Sequence, residues 1–198
     1  FVSTRPGETR PDSQLYMIPM TFQGLKPGQK KGLRVDKFGG MTINASPCRP
    51  ESRGRIELRS SDPDAPPRIH RNYLATPDDV RVMVETLKIA DRIGRARPLA
   101  DVIDERLYLP PGELTDQQWE DWARATGRTC YHPTSSCVMG TDPRKAVVDP
   151  RLRVHGLEAL RVIDASIMPA VVSGNTAAAT TMIGERGAAM VLEDHARA

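Results

Sequence analysis

The hydrophobic period of this chain changes at Thr76, and that change narrows the folds open to it. Before Thr76, apolar residues sit in short runs of strand formers cut by proline and glycine; after it they return at three- and four-residue steps. Strands first and helices afterwards argue against a repeating βαβ chain and for an α+β arrangement. The strand runs are QLYMIPMTF (14–22), whose Pro19 marks an edge or a bulge, GGMTINASP (39–47) and GRIELRS (54–60). In the last of these Ile56 and Leu58 are expected to point inward and Arg55, Glu57 and Arg59 outward. KPGQKKG breaks the first pair, and SDPDAPPRI is too rich in proline to be anything but a connection.

The first helix has its start written into it. Thr76 is an N-cap residue type, Pro77 suits the first helical position, and Asp78 and Asp79 favour the positive end of the helix dipole. Val80, Val84, Leu87, Ile89 and Ile93 then carry one apolar face up to Gly94. A second helix runs from Thr115 to Gly127 with Trp119 and Trp122 three apart on one face, read as packing residues. Further on, LRVIDAS (160–166) reads as a short buried strand, IMPAVVSG as an extended connection, and the alanine-rich stretch opening at Asn175 as a long helix without an interior proline. This lone strand-helix unit is an α/β element at the end of an α+β chain.

Composition excludes several partners. The 28 basic and 25 acidic residues are spread along the chain, so there is no basic tract for nucleic acid. Neither an apolar run long enough to span a membrane nor a signal leader is visible. The chain opens on Phe1 and a loop-like dozen residues, and reads as the later part of a longer polypeptide. Three cysteines, Cys48, Cys130 and Cys137, are odd in number and lack a doubled C-x-x-C, which points to reduced, buried thiols and a cytoplasmic setting.

Chemistry concentrates in two places. YHPTSSCVMG (131–140) places His132 before Pro133, which biases it to an extended backbone and lets its ring project from a strand end. Cys130, His132 and Cys137 offer at most three ligands of mixed softness, short of a closed structural zinc shell, so no metal is expected. The other place is the start of the last helix, where Asn175 is a good cap and the N–H groups of Thr176 to Ala178 form a positive end. Nucleotide-binding, serine-hydrolase and zincin motifs are all missing. From the residues alone, His132 and Asn175 are better read as structural.

Taken together and in this order, YHPTSSCVMG, DPRLRVHGLEALRVIDASIMP and GNTAAATTMIGERGA resemble the C-terminal signature of the glucose-methanol-choline family of flavin-dependent oxidoreductases, choline dehydrogenases among them. RPDSQLYMIPMTF, SRGRIELRSSDPDAPPRI and NYLATPDDV resemble that family's substrate-domain strands and first long helix, so the likeness runs from about Arg10 to Glu193. The chain departs from the family pattern at Ser135, Ser136 and Val138, and at Ala177 and Ala179, where the family often has a second asparagine and a proline. The family's dinucleotide fingerprint lies near the N-terminus of the full chain and is absent here.

The resemblance implies FAD as cofactor and an antiparallel substrate-domain sheet over residues 1–128, with flanking helices. It further implies that residues 129–198 end in a strand-helix unit belonging to the FAD-binding α/β domain, which the N-terminal part of the same polypeptide completes. His132 would take the hydroxyl proton of an alcohol while hydride passes from the carbinol carbon to flavin N5, with Asn175 as the second partner of the substrate oxygen. Tyr131, Asp164, Ala165, Asn175 and Thr176 would contact the cofactor. Because a fold does not fix a reaction, the alternatives are a non-redox lyase on the same scaffold and a non-catalytic binding module.

Overall fold

The computed structural model describes residues 1–23, 34–109 and 111–196, so the expected break at KPGQKKG lies outside the described residues. Two compact units emerge, residues 1–52 with 72–130, and residues 53–71 with 131–198.

In the first unit, strands β1 (Ser13–Ile18) and β4 (Thr42–Pro47) pair antiparallel, Ser13 opposite Pro47 and Ile18 opposite Thr42. The expected run 14–22 is divided: Pro19 carries no N–H for a ladder, β1 stops before it, and β2 (Phe22–Gln23) pairs with β3 (Arg34–Val35) instead. Helix α1 (Pro77–Arg95) begins as read, with the Thr76 hydroxyl accepting from the Asp79 N–H at 3.3 Å. Helix α2 (Asp116–Thr126) carries a capping box in which Thr115 and Gln118 satisfy each other's backbone donors. The two helices bury Val84, Leu87, Trp119 and Ala123 together. Trp119 and Trp122 meet edge to face at 6.4 Å, and the Trp122 indole donates to the Tyr108 carbonyl at 3.1 Å, so both are packing residues.

One carboxylate braces this unit. Asp79 is buried and accepts from the N–H groups of Glu51 and Ser52, each at 2.8 Å, and from the Ser52 hydroxyl. Burial pushes its carboxyl up, but the Ser52 hydroxyl and the two backbone donors outweigh burial, and the net direction is down. A carboxyl depressed in the folded state adds stability above the unfolded value, and loses it as pH falls through the folded value. Asp79→Ala is therefore expected to lower unfolding stability by about 1–3 kcal/mol at pH 7, since it removes a charged acceptor of two backbone N–H groups and the Ser52 hydroxyl. In chemical-denaturant titrations the gap between variant and wild type should close below about pH 4; a pH-independent gap would refute the brace.

In the second unit, β5 (Arg55–Glu57) and β6 (Arg68–His70) form an antiparallel ribbon. The proline-rich connection is therefore shorter than read, since Arg68 and Ile69 belong to a strand. The expected facing holds for the exposed Arg55 and Arg59 but fails for the rest: Ile56 is 60% and Leu58 89% exposed, while Glu57 is half-buried. Alternation identifies which residues share a face, not which face is covered. Here Ile56 pairs with Ile69 on the open face, and Glu57 is held by Arg55 and by His70 Nε2 at 3.1 Å.

The core of this unit is Val148, Leu152, Ile167, Met168 and Ile183, the last from helix α3 (Ala177–His195). Residues 160–166 are not the expected strand. Arg161 makes an isolated bridge to Arg153, and Val162 N–H donates to the Leu152 carbonyl at 3.1 Å, so the segment crosses a turn rather than a neighbouring strand. Its side chains still reach the core. Helix α3 lies so close over it that a Cβ on Gly187 would stand 2.3 Å from Ile163 Cγ2, leaving room only for hydrogen. The far end of α3 is pinned by Arg151, which binds the Met190 carbonyl, Glu193 and Asp194, and by Arg161, which binds Asp194. Those arginines offset the unfavourable placing of two acids at a helix C-terminus. Among the described residues no helix is long and apolar enough to cross a membrane.

Candidate active site

Two segments far apart in sequence meet at the start of α3. His132 Nδ1 and Thr176 Oγ1 lie 2.8 Å apart across 44 residues. The loop that delivers His132 is shaped on both sides by left-handed residues, Tyr131 at φ +61° and Ser135 at φ +69°. Each side chain held there costs about 1–2 kcal/mol of backbone strain, and such strain persists only where surrounding contacts fix it. Those contacts are the backbone bonds just downstream. Cys137 N–H donates to the Ser166 carbonyl at 3.0 Å and Met139 N–H to the Ile167 carbonyl at 2.9 Å, tying residues 137–139 along the 166–167 turn. Gly140 N–H reaches the Val148 carbonyl, and His155 Nε2 lies 3.0 Å from the Gly140 carbonyl oxygen.

The start of α3 differs from the reading of Asn175 as its cap. Thr176 occupies the cap position with helical dihedrals, φ −77° and ψ −13°, and no side chain caps the helix. Asn175 lies one residue further out and is exposed. The reason is local: the side chain placed to cap the helix, Thr176, is 93% buried and turned to His132. The Thr176 side chain thus does not cap the first-turn N–H groups, and Ala177 and Ala178 beside them are exposed and carry only methyl groups. Such a terminus suits an electron-rich ring edge or an anion.

The remaining expected residues fall as follows. Asp164 is exposed, extended, and uses Oδ1 to accept from Ser166 N–H at 2.7 Å, capping the short 3-10 turn Ala165–Ile167. Ala165 is half-buried in that turn. Tyr131 is 77% exposed. The geometry brings together His132 with Thr176 by direct contact, and Asn175 by adjacency. Asp164 and Ala165 are linked to the histidine loop through the 137–166 and 139–167 backbone bonds. Of the cysteines only Cys48 is buried; Cys130 is exposed and Cys137 half-buried, so the expectation of three buried thiols fails for two. Sequence reading missed the His132–Thr176 pair itself, for which the only signal was a histidine before proline and a hydroxyl at a helix start.

The donor set fits a flavin in kind. The helix offers unscreened N–H donors, Asp164 a carboxylate with one oxygen left for another donor, and His132 and Asn175 a titratable ring and an amide.

Comparison with known proteins identifies the family. A family model described as GMC oxidoreductase matches residues 50–184. An alcohol dehydrogenase [acceptor] of Pseudomonas putida is 36% identical over 192 residues, covering 97% of this chain and 34% of the relative. An oxygen-dependent choline dehydrogenase of Paraburkholderia phytofirmans is 39% identical over 187 residues, covering 94% and 32%. Among solved structures, a formate oxidase of Aspergillus oryzae, solved to address FAD modification, superposes with a TM-score of 0.81 at 27% identity over 96% of this chain and 33% of its own. The chain thus spans about a third of the length of the curated relatives it matches.

Proposed function

The chain belongs to the GMC oxidoreductase family, and on that premise we propose that it is the C-terminal part of an FAD-dependent oxidoreductase that converts the CH–OH group of an alcohol to a carbonyl. The observation that carries the reading is the 2.8 Å contact between His132 and Thr176, which brings a histidine to a helix start that has no side-chain cap. In this reading residues 1–128 contribute to the substrate-binding domain. Residues 129–198 return to the FAD-binding α/β domain of the same polypeptide and carry the reacting side chains.

When bound, FAD supplies the acceptor for the hydride that leaves the carbinol carbon. His132 takes the hydroxyl proton on Nε2, the ring nitrogen turned away from Thr176, for which no partner occurs among the described residues. An imidazole is the side chain whose ordinary range best matches proton removal at neutral pH. Asn175 donates its amide N–H to the substrate oxygen as negative charge gathers there, and does not compete for the proton. Tyr131, Asp164, Ala165, Asn175 and the Thr176 backbone would hold the cofactor, and the positive end of α3 would favour negative charge on it. The alcohol thus loses one proton to His132 and one hydride, and leaves as a carbonyl compound.

Anaerobic addition of a panel of alcohols, choline included, to the full-length protein tests this directly. At least one alcohol is expected to bleach the visible flavin spectrum, with release of an aldehyde or ketone. A protein that turns an alcohol into other products without bleaching would be a lyase, and one that binds without either effect would be a binding module.

A further inference from the structure

We infer that Thr176 is a positioning residue whose side-chain hydroxyl fixes His132 in the tautomer that carries its proton on Nδ1, so that Nε2 presents a lone pair to the substrate; this rests on the reading of His132 as proton acceptor. The geometry singles Thr176 out among the threonines of this helix. Thr180 and Thr181 turn their hydroxyls back to carbonyls four residues earlier, Thr176 and Ala177, at 2.8 and 3.0 Å. Among the described residues Thr176 makes neither that bond nor a cap, and its hydroxyl meets the histidine ring. Leaving a cap unmade forgoes some helix stability. The contact is buried on the threonine side, at 7% exposure, so water competes poorly for it.

A hydroxyl can turn either way, and the two directions have different consequences. If Thr176 donates to Nδ1, the neutral ring carries its proton on Nε2 and has no lone pair for the substrate. The bond would also have to reverse when the ring becomes doubly protonated. If Nδ1–H donates to Thr176 Oγ1, Nε2 is an acceptor, and the bond persists unchanged when a proton arrives there, strengthening as the ring gains charge. Only this second direction serves a proton acceptor without rearrangement at the moment of reaction.

The test uses full-length, FAD-loaded protein. Thr176→Val keeps shape and removes the hydroxyl, and Thr176→Ser restores it; the backbone N–H assigned to the cofactor is the same in both. Thr176→Val is expected to lower kcat about 10- to 100-fold, the loss of one hydrogen bond to a charging ring, with KM within about twofold of wild type. Thr176→Ser should recover most of kcat. In protein labelled with ¹⁵N-histidine, the resonances absent from His132→Ala identify the ring. Wild type and the serine variant should show Nδ1–H with a bare Nε2, and the valine variant a mixture or the reverse. A wild-type ring protonated on Nε2 overturns the inference, and so does a valine variant with unchanged kcat and tautomer while His132→Ala is inactive. If instead His132→Ala stays active, the proton-acceptor reading itself fails. Should Thr176→Val not fold, the wild-type tautomer alone decides.

Discussion

Replacing His132 by alanine in the full-length protein is expected to leave folding and FAD content intact while lowering kcat/KM for its alcohol by about 10²- to 10⁴-fold. The fold should survive because the ring is half-buried and, among the described residues, makes one hydrogen bond, to Thr176, whereas the core of its unit is built from Val148, Leu152, Ile167, Met168 and Ile183. The released Thr176 hydroxyl can then cap α3, which offsets part of any loss. Activity should not survive, since no other described side chain in the 131–140 loop is a base at neutral pH: its hydroxyls belong to Tyr131, Thr134, Ser135 and Ser136, and its thiol to Cys137. Circular dichroism and the flavin-to-protein absorbance ratio establish integrity; steady-state kinetics at pH 7 reads the effect. A variant with wild-type kcat/KM would remove His132 from the chemistry.

Asn175 should show the second largest effect, with a sign that separates binding from capping. Because Thr176 holds the cap position and Asn175 is exposed outside it, neither Asn175→Ala nor Asn175→Asp should change unfolding stability much. Both should slow alcohol oxidation. Asn175→Ala removes one donor to an oxygen gaining negative charge, a loss of about 10²- to 10³-fold in kcat. Asn175→Asp removes the donor and adds a negative charge. That carboxylate would favour a protonated His132, but it acts directly against charge on the reacting oxygen, so the aspartate variant should be the slower of the two above the pH at which it ionises. Equal stability with unchanged turnover in both variants would leave Asn175 without a role.

Local signals in this chain are legible where one stretch of sequence contains both partners of an interaction. Thr76 with Pro77 and Asp79, and Thr115 with Gln118, set the starts of α1 and α2 from within four residues, and both starts stand as read. Legibility fails where the deciding partner is distant. The facing of Ile56 depends on what covers a ribbon, which alternation cannot state. The run 160–166 has strand composition, yet it pairs by single bonds with a turn at 152–153. Asn175 is the better cap residue by type, but Thr176 takes the position and His132, 44 residues earlier, takes its hydroxyl. The sequence thus names candidate residues, while the contact between His132 and Thr176 is visible only in the fold.

The central claim is that His132 receives the substrate proton in the step that oxidises the alcohol. Rapid anaerobic mixing of the full-length protein with a good alcohol substrate isolates that step from reoxidation by any electron acceptor. The flavin band of His132→Ala should bleach at least about 10²-fold more slowly than that of wild type, while dithionite bleaches both alike. Equal rates of bleaching by the alcohol in the two proteins would contradict the account.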